Sequence, residues 1–284
     1  MIRAMATNLT TGELLMRGAS RLRAAGVDSP VLDAELLLAH ALGWPRSRLK
    51  SHPEQVPDAG AVARYDALLT RRAAGEPVAY LVGYRDFWTL RLNVSPAVLV
   101  PRPETELLVE RALALRPDVE GRVLDLGTGS GAIALALAAE RPNWAVTATD
   151  ISAEALAVAR ENAQRLGLTR VEFLHGNWFE PVGDRRFHLI VSNPPYIGAN
   201  EPELGALRYE PQAALSPGAD ALQCLRTIIH GAPPHLEQGG WLLLEHGFTQ
   251  APEVARELVA HGFRHVRSHR DLAGHERMTE AQWG

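Results

Sequence analysis

The chain is 284 residues long, 46% hydrophobic, and carries a formal net charge of −4. That length can bury one good α/β core and a smaller satellite domain, and the charge supplies no global attraction to nucleic acid. The single cysteine, Cys224, excludes an intramolecular disulfide and any multi-cysteine metal site.

Residues 1–20 mix Arg3, Glu13 and Arg17 among apolar positions, so no secretory apolar segment is expected there. No apolar run approaches the ~18 residues of a membrane span, and a soluble, cytoplasmic protein is expected. Up to about Tyr84 the pattern predicts helices only. Leu14, Leu15, Ala19 and Leu22 recur at helical spacing. Asp33 to Leu42 is a second apolar-faced segment, and Asp58 to Ala74 a third, closed by Gly75-Glu76-Pro77. Phe87 to Val100 then alternates apolar and polar residues, as a strand or hairpin does. The expected organisation is a helical domain over 1–85, a β-hairpin linker over 86–100 and an α/β domain over 101–284.

From Pro101 onward strands and helices alternate, the mark of a mostly parallel sheet covered on both faces. Strands are predicted at Arg122 to Leu126, Ala145 to Asp150, Val171 to Leu174, Phe187 to Val191, Trp241 to Glu245, Phe263 to Ser268 and near Arg277 to Trp283. In such sheets ligands bind beyond the C-terminal strand ends, at the point where the strand order reverses. Three motifs sit at predicted strand ends.

The first is Gly127-Thr128-Gly129-Ser130-Gly131, between a short buried strand and an Ala/Leu-rich helix over Ala132 to Glu140. Absent side chains let a ligand approach the backbone, although a tight turn needing positive φ has the same composition. The spacing is GxGxG rather than the GxGxxG of pyrophosphate sites, which favours a nucleoside cofactor without a diphosphate. The second is Asp150, nineteen residues beyond Gly131. A carboxylate there can accept both hydroxyls of a ribose, or it can cap the helix that begins near Ser152.

The third is Asn193-Pro194-Pro195-Tyr196, after the apolar run Phe187 to Ser192. The prolines lock φ and remove two backbone donors, leaving local carbonyls as acceptors. An amide or exocyclic NH2 is a poor nucleophile because its lone pair is delocalised, and acceptors gripping both N–H bonds can turn that lone pair toward an electrophile. A Pro-rich turn without chemistry is the alternative. Together, the three features fit S-adenosylmethionine-dependent methylation of an amino group.

The chain resembles the peptide chain release factor glutamine methyltransferase family, HemK/PrmC, nearly end to end. The resemblance rests on Arg71-Arg72 with Gly75-Glu76-Pro77-Val78-Ala79-Tyr80-Leu81-Val82-Gly83, on Pro101-Arg102-Pro103-Glu104-Thr105-Glu106, and on Asp125 to Gly131. Ser192 to Ile197, Glu245-His246-Gly247 and Arg270-Asp271-Leu272-Ala273-Gly274 complete it. It implies a class I S-adenosyl-L-methionine methyltransferase fold, Rossmann-like and seven-stranded, with a small N-terminal helical domain that recognises the substrate. The implied reaction is N5-methylation of the glutamine in the Gly-Gly-Gln motif of class 1 peptide chain release factors.

Carried over by residue, Gly127, Thr128, Gly129, Ser130 and Gly131 face the methionine part of the cofactor, Asp150 its ribose and Trp178 its adenine. Asn193 and the Pro194 carbonyl accept from the substrate NH2, Tyr196 packs on the amide plane, and Pro195 completes the substrate-binding turn. Asn193, Pro194 and Tyr196 are the catalytic candidates. Displacement from a sulfonium neutralises charge, so no metal and no strong general base is called for; Glu104 and Glu106 are candidate acceptors, although at least one of them reads rather as an exposed carboxylate at a helix start. His188 and Asn177 stand where such sequences often carry Asp. His188 is read as a solvent-facing strand residue, and Asn177 as an acceptor in doubt. Two rivals share much of the pattern: a glutamine methyltransferase acting on a ribosomal protein, and a nucleic-acid base-amine methyltransferase. Direct nucleic-acid binding is not expected, because acidic residues are interspersed among the N-terminal arginines.

Overall fold

The computed structural model describes residues 9–115 and 120–284, so Arg3 and the first eight residues of the predicted helical domain lie outside the described residues. The chain divides into two compact units, one ending at Gly83 and one beginning at Tyr84.

In the first unit, α1 (Thr11–Ala24) opens on a reciprocal cap: the Thr10 hydroxyl accepts from the Glu13 N–H at 3.3 Å, and the Glu13 carboxylate accepts from the Thr10 N–H at 2.8 Å. α2 (Pro30–Leu42) begins at Pro30 rather than Asp33, because proline is pre-set for the first helical position. The short α3 (Arg46–Ser51) was not anticipated. α4 (Ala59–Ala73) is capped by Asp58, which accepts from the Ala61 N–H at 2.8 Å. A second short helix, α5 (Val78–Val82), closes the unit. Leu14, Leu22, Leu37, Leu38, Tyr65 and Leu69 form its core. The paired arginines of the family motif are structural here. Arg72 binds Asp33 at 2.7 Å, tying α4 to α2, and Arg71 binds Glu76 at 2.7 Å across the turn into α5.

The second unit starts with an antiparallel hairpin, β1 (Tyr84–Phe87) and β2 (Leu90–Asn93). Its pairing opens at Tyr84 and stops at Asn93, so the tail of the predicted 86–100 segment is not strand. After α6 (Glu106–Leu115) come β3 (Gly121–Leu126), α7 (Ala132–Glu140), β4 (Trp144–Asp150), α8 (Ala153–Leu166), β5 (Glu172–His175) and β6 (Phe187–Ser192). Then follow α9 (Glu203–Ala206), α10 (Gln223–Gly231), β7 (Leu236–Glu245), α11 (Ala251–Ala260), β8 (Phe263–Arg270) and β9 (Glu276–Trp283). The seven-stranded sheet runs β5-β4-β3-β6-β7-β9-β8, parallel except for β9, which is antiparallel to β7 and β8.

β3 and β6 lie at the sheet centre and are buried almost throughout, as strands covered on both faces are. Helix α7 buries every residue from Ala132 to Ala138, so it has no polar stripe to mark it as amphipathic. The strand order reverses between β3 and β6. Leu126 of β3 pairs with Thr149 of β4 on one side and Ser192 of β6 on the other, so the three strands end level at that crevice. Among the described residues no helix is long and apolar enough to cross a membrane.

Candidate active site

A cleft of about 390 Å³ opens at those strand ends. Of the residues singled out in the sequence, Gly127, Gly129, Asp150, Asn177, Trp178, Asn193 and Pro195 line it. Thr128, Ser130, Gly131, Pro194 and Tyr196 do not, and each has a structural engagement or a buried position instead.

Asp125 at the end of β3 organises the glycine turn. It is fully buried, and its Oδ2 accepts from the Thr128 hydroxyl at 2.7 Å and the Ala134 N–H at 3.1 Å. Burial pushes its carboxyl up to about 7 against the pull of those bonds, and Oδ1 makes no hydrogen bond. Ser130 is buried, and its carbonyl accepts from Asn162 Nδ2 of α8 at 3.0 Å. Asn162 also bonds both backbone groups of Asn93, so one buried amide ties the hairpin to the turn. Gly131 sits at φ +85°, where an added Cβ would lie 2.9 Å from Leu135 Cδ1 and 3.3 Å from Ala159 Cβ. It is a packing glycine. Gly129, at φ +57°, has open space where a Cβ would be.

Asp150 joins this turn from β4. Its Oδ2 accepts from the Gly129 N–H at 2.8 Å and its Oδ1 from the Ser152 N–H at 2.9 Å. Ser152, not Asp150, caps α8, accepting from the Ala155 N–H at 3.1 Å. Burial raises the Asp150 carboxyl while those N–H groups oppose the shift. Each oxygen uses one of its lone-pair directions and keeps another for a ligand hydroxyl.

Trp178 has φ +44°, an unusual backbone for a bulky residue, and the Thr149 hydroxyl holds its carbonyl at 3.0 Å. Its ring lies against Gly127 and packs on the apolar cluster that includes Leu124 and Leu126, while also lining the cleft. It is both core and wall. Asn177 is exposed at the rim. Val98, Ile151, Ala155 and Ala214 supply apolar walls, and Cys224 lines the cleft half-buried. A cleft of this volume, walled by apolar groups with bare glycine backbone and one carboxylate, fits the nucleoside cofactor expected from the sequence.

Beside it the Asn-Pro-Pro-Tyr turn is wired into the protein. Asn193 Nδ2 donates to Thr105 Oγ1 at 3.0 Å, and the Tyr196 hydroxyl donates to Glu245 Oε1 at 3.1 Å. Tyr196 therefore anchors a buried carboxylate rather than facing the cleft, and burial with Glu245 alongside pushes its phenol well up. Glu245, at the end of β7, is pushed up to about 7 by burial, with Thr105, Tyr196 and Arg277 pulling the other way and Glu104 adding to the rise. Thr105, Glu245 and Asn162 were missed by sequence reasoning, although Thr105 and Glu245 lie inside quoted motifs. Arg102 of the same Pro-Arg-Pro run pairs with Glu210, which also accepts from the Val100 N–H at 3.0 Å, so the loop carrying Pro211 and Ala214 is pinned to the cleft wall.

One reading needs correction. His188 is half-buried, and its Nδ1 accepts from the Arg122 N–H at 3.1 Å where the β6–β7 register shifts, so it is a sheet residue rather than a solvent-facing one. Glu106 is occupied by the Trp88 N–H at 2.8 Å, leaving Glu104 as the exposed carboxylate of the pair. Among the described residues the histidines also form one grouping that the sequence did not suggest: His230, Glu257 and His261 bring ligating atoms within 4.8 Å of one another. None lines the cleft, the two imidazoles stack at 3.9 Å, and Arg226 already binds Glu257 at 2.9 Å. A second depression, about 550 Å³, lies beside the Pro103–Glu106 turn and shares no lining residue with the cleft.

The reversed strand order, with a glycine turn and an acidic strand end at the switch point, defines a class I methyltransferase. Residues 103–207 match the methyltransferase small domain and residues 13–83 the PrmC N-terminal domain. A release factor glutamine methyltransferase of Pseudomonas aeruginosa is 53% identical over 90% of this chain and 94% of its own length. Its counterpart in Vibrio cholerae is 46% identical over 97% and 98%. The T. thermophilus 16S rRNA N2 G1207 methyltransferase, solved with AdoMet and guanosine, superposes with a TM-score of 0.53 at 19% identity, over 71% of this chain and 50% of that one. That likeness speaks for the fold alone. The chain belongs to the release factor glutamine methyltransferase family.

Proposed function

We propose that this enzyme methylates the N5 amide of the glutamine in the Gly-Gly-Gln motif of class 1 peptide chain release factors, with S-adenosyl-L-methionine as donor. One observation carries the reading within the family: the amide nitrogen of Asn193 is engaged by Thr105, which leaves its oxygen to the cleft. That oxygen accepts a hydrogen from the substrate NH2. When bound, S-adenosylmethionine supplies a methyl group on a sulfonium sulfur. Gly127, Gly129 and Asp150 hold it, with Trp178 and Asn177 beside its base. The chain's share of the catalysis is alignment, for which effective molarities reach on the order of 10⁵ M or more. Asn193 adds electrostatic support as positive charge grows on the nitrogen.

The helical unit, drawn in the sequence over 1–85, recognises the protein substrate, and the 101–284 segment carries the chemistry. A partner that acts in translation termination places the enzyme in the cytoplasm. The direct test is mass spectrometry of release factor, ribosomal protein and RNA after incubation with methyl-labelled S-adenosylmethionine. Label confined to the Gly-Gly-Gln glutamine is expected. Label on ribosomal protein or RNA, with none on release factor, overturns the assignment.

A further inference from the structure

The Asn-Pro-Pro-Tyr turn carries its acceptors on a stretch of backbone that cannot anchor itself. Proline nitrogens have no hydrogen, so the peptide units at Asn193–Pro194 and Pro194–Pro195 offer no donor by which the protein could pin them. The two rings fix φ and leave ψ to turn. A carbonyl in such a run points where the two ends of the run make it point. The first end is secured in the sheet, since Ser192 pairs with Leu126 of β3 and with Leu244 of β7. The second end is Tyr196.

Tyr196 is held twice, by the last residue of β7 and by the residue before α11. Its hydroxyl reaches Glu245 Oε1 at 3.1 Å, and its carbonyl accepts from Gln250 Nε2 at 3.0 Å. The first hold grips the ring; only the second grips the backbone. Gln250 is itself well fixed. Its Oε1 accepts from the Gly247 N–H at 2.8 Å, and its own N–H donates to the Gly247 carbonyl at 2.9 Å. A backbone N–H only donates and a carbonyl only accepts, so Gly247 and Tyr196 together allow the Gln250 amide one orientation. The Gly247 carbonyl takes a second donor, the buried His246 Nδ1, at 3.0 Å, and His246 Nε2 meets the Thr279 hydroxyl of β9 at 2.9 Å. The brace therefore begins inside the sheet and ends on the Tyr196 carbonyl.

A substrate NH2 has two hydrogens, and the Asn193 oxygen takes one. The family resemblance assigns the other to the Pro194 carbonyl, which belongs to the unanchored stretch. We propose that Gln250 is a positioning residue for the transfer: by holding the Tyr196 carbonyl it sets the direction of the Pro194 carbonyl, the second acceptor. The inference rests on the proposed reading of this turn as the acceptor of a glutamine amide. It also gives Tyr196, which does not line the cleft, a part in the reaction as the anchored end of the turn.

The test is single-turnover transfer to release factor at saturating substrate and cofactor, with both affinities and the unfolding midpoint measured alongside. Gln250→Met keeps the length of the side chain and removes both amide bonds. It should slow transfer about tenfold, the worth of roughly one hydrogen bond, while both affinities stay within about twofold. A merely structural residue would lower the unfolding midpoint and leave the rate per folded enzyme unchanged. Gln250→Glu supplies the second readout. Its carboxylate still accepts from Gly247 but has no hydrogen for Tyr196, whereas the protonated acid has one. The ratio of its rate to the wild-type rate should therefore climb as pH falls from about 8 to about 5.5, toward the carboxyl range. Glu245, His246 and Arg277 are common to both proteins, so their titration cancels in that ratio. If Gln250→Met does not fold, Gln250→Glu alone decides. The proposal fails if Gln250→Met transfers at the wild-type rate, or if the Gln250→Glu and wild-type pH profiles run parallel. Asn193→Ala should lose ~10²–10³ in the same assay, and near wild-type transfer by it would instead sink the acceptor reading itself.

Discussion

Asp150 Oδ2 holds the Gly129 N–H at 2.8 Å, so the acidic end of β4 also braces the glycine turn after β3. In the proposed function the carboxylate therefore serves the cofactor twice, through its remaining lone pairs and through the loop it braces. Asp150→Ala should weaken S-adenosylmethionine binding about tenfold or more, since hydrogen bonds to charged groups contribute roughly 1.5–3 kcal/mol each. Calorimetry on the folded variant reads this directly. Wild-type affinity would remove Asp150 from the cofactor site.

Two glycines of one turn should respond in opposite ways. Gly131→Ala places a methyl 2.9 Å from Leu135 Cδ1 at a positive φ, so it should lower stability by about 1–3 kcal/mol. Gly129→Ala meets nothing within 4 Å inside the protein, but its methyl enters the space beside Asp150. It should cost about 1 kcal/mol of stability and proportionally more in cofactor affinity. Denaturant titration with and without S-adenosylmethionine separates the two. Equal losses of affinity per unit of stability would refute the contrast.

Glu245 and Asp125 are each pushed up to about 7, from ordinary values of 4.5 and 3.8. The folded state therefore holds protons that the unfolded state has released. Their contribution to stability is full below the unfolded values and is lost as pH rises through about 7. Thr105, Tyr196, Arg277 and Glu104 face Glu245, and of these Glu104 and Arg277 act on it through charge. Glu245→Gln removes one of the two titrations, so the fall in unfolding free energy between about pH 5.5 and about 7.5 should shrink by about 2 kcal/mol. An unchanged pH slope in Glu245→Gln would show that this carboxyl is not the one titrating.

The structure narrows the surface on which the helical unit can meet a protein. Arg46, Arg71 and Arg72 are committed to Glu35, Glu76 and Asp33. Arg23 is exposed with no ion pair among the described residues, and Arg48 lies over the Trp44 ring at 4.2 Å. Charge reversal at Arg23 and Arg48 should raise the KM for release factor severalfold and soften its salt dependence, as rim charges do, while cofactor affinity stays put. Unaltered kinetics on intact release factor would rule out docking through these two residues.

The parts legible in the sequence are those whose role is local. Asp58 announces a helix start, the Gly127–Gly131 turn announces itself by composition, and the apolar run Phe187 to Ser192 announces a central strand. The parts that were not legible depend on partners brought by topology. Thr105 meets Asn193 across 88 positions, and Asn162 meets Asn93 across 69. A buried threonine or asparagine carries no sign of its partner in its own neighbourhood. Trp178 belongs to both groups, because its ring packs on the cluster of Leu124 and Leu126 and also lines the cleft.

Cys224 lends the enzyme an optical handle without engineering. It is the chain's single thiol and stands on the wall of the cleft, half-buried, where burial raises its pKa and slows alkylation. A maleimide fluorophore therefore labels one position only, on the cleft wall. Titrating unlabelled ligands against the rate of that labelling gives a footprint of occupancy in the native sequence, and inhibitors that fill the cleft can be ranked by the thiol they shield.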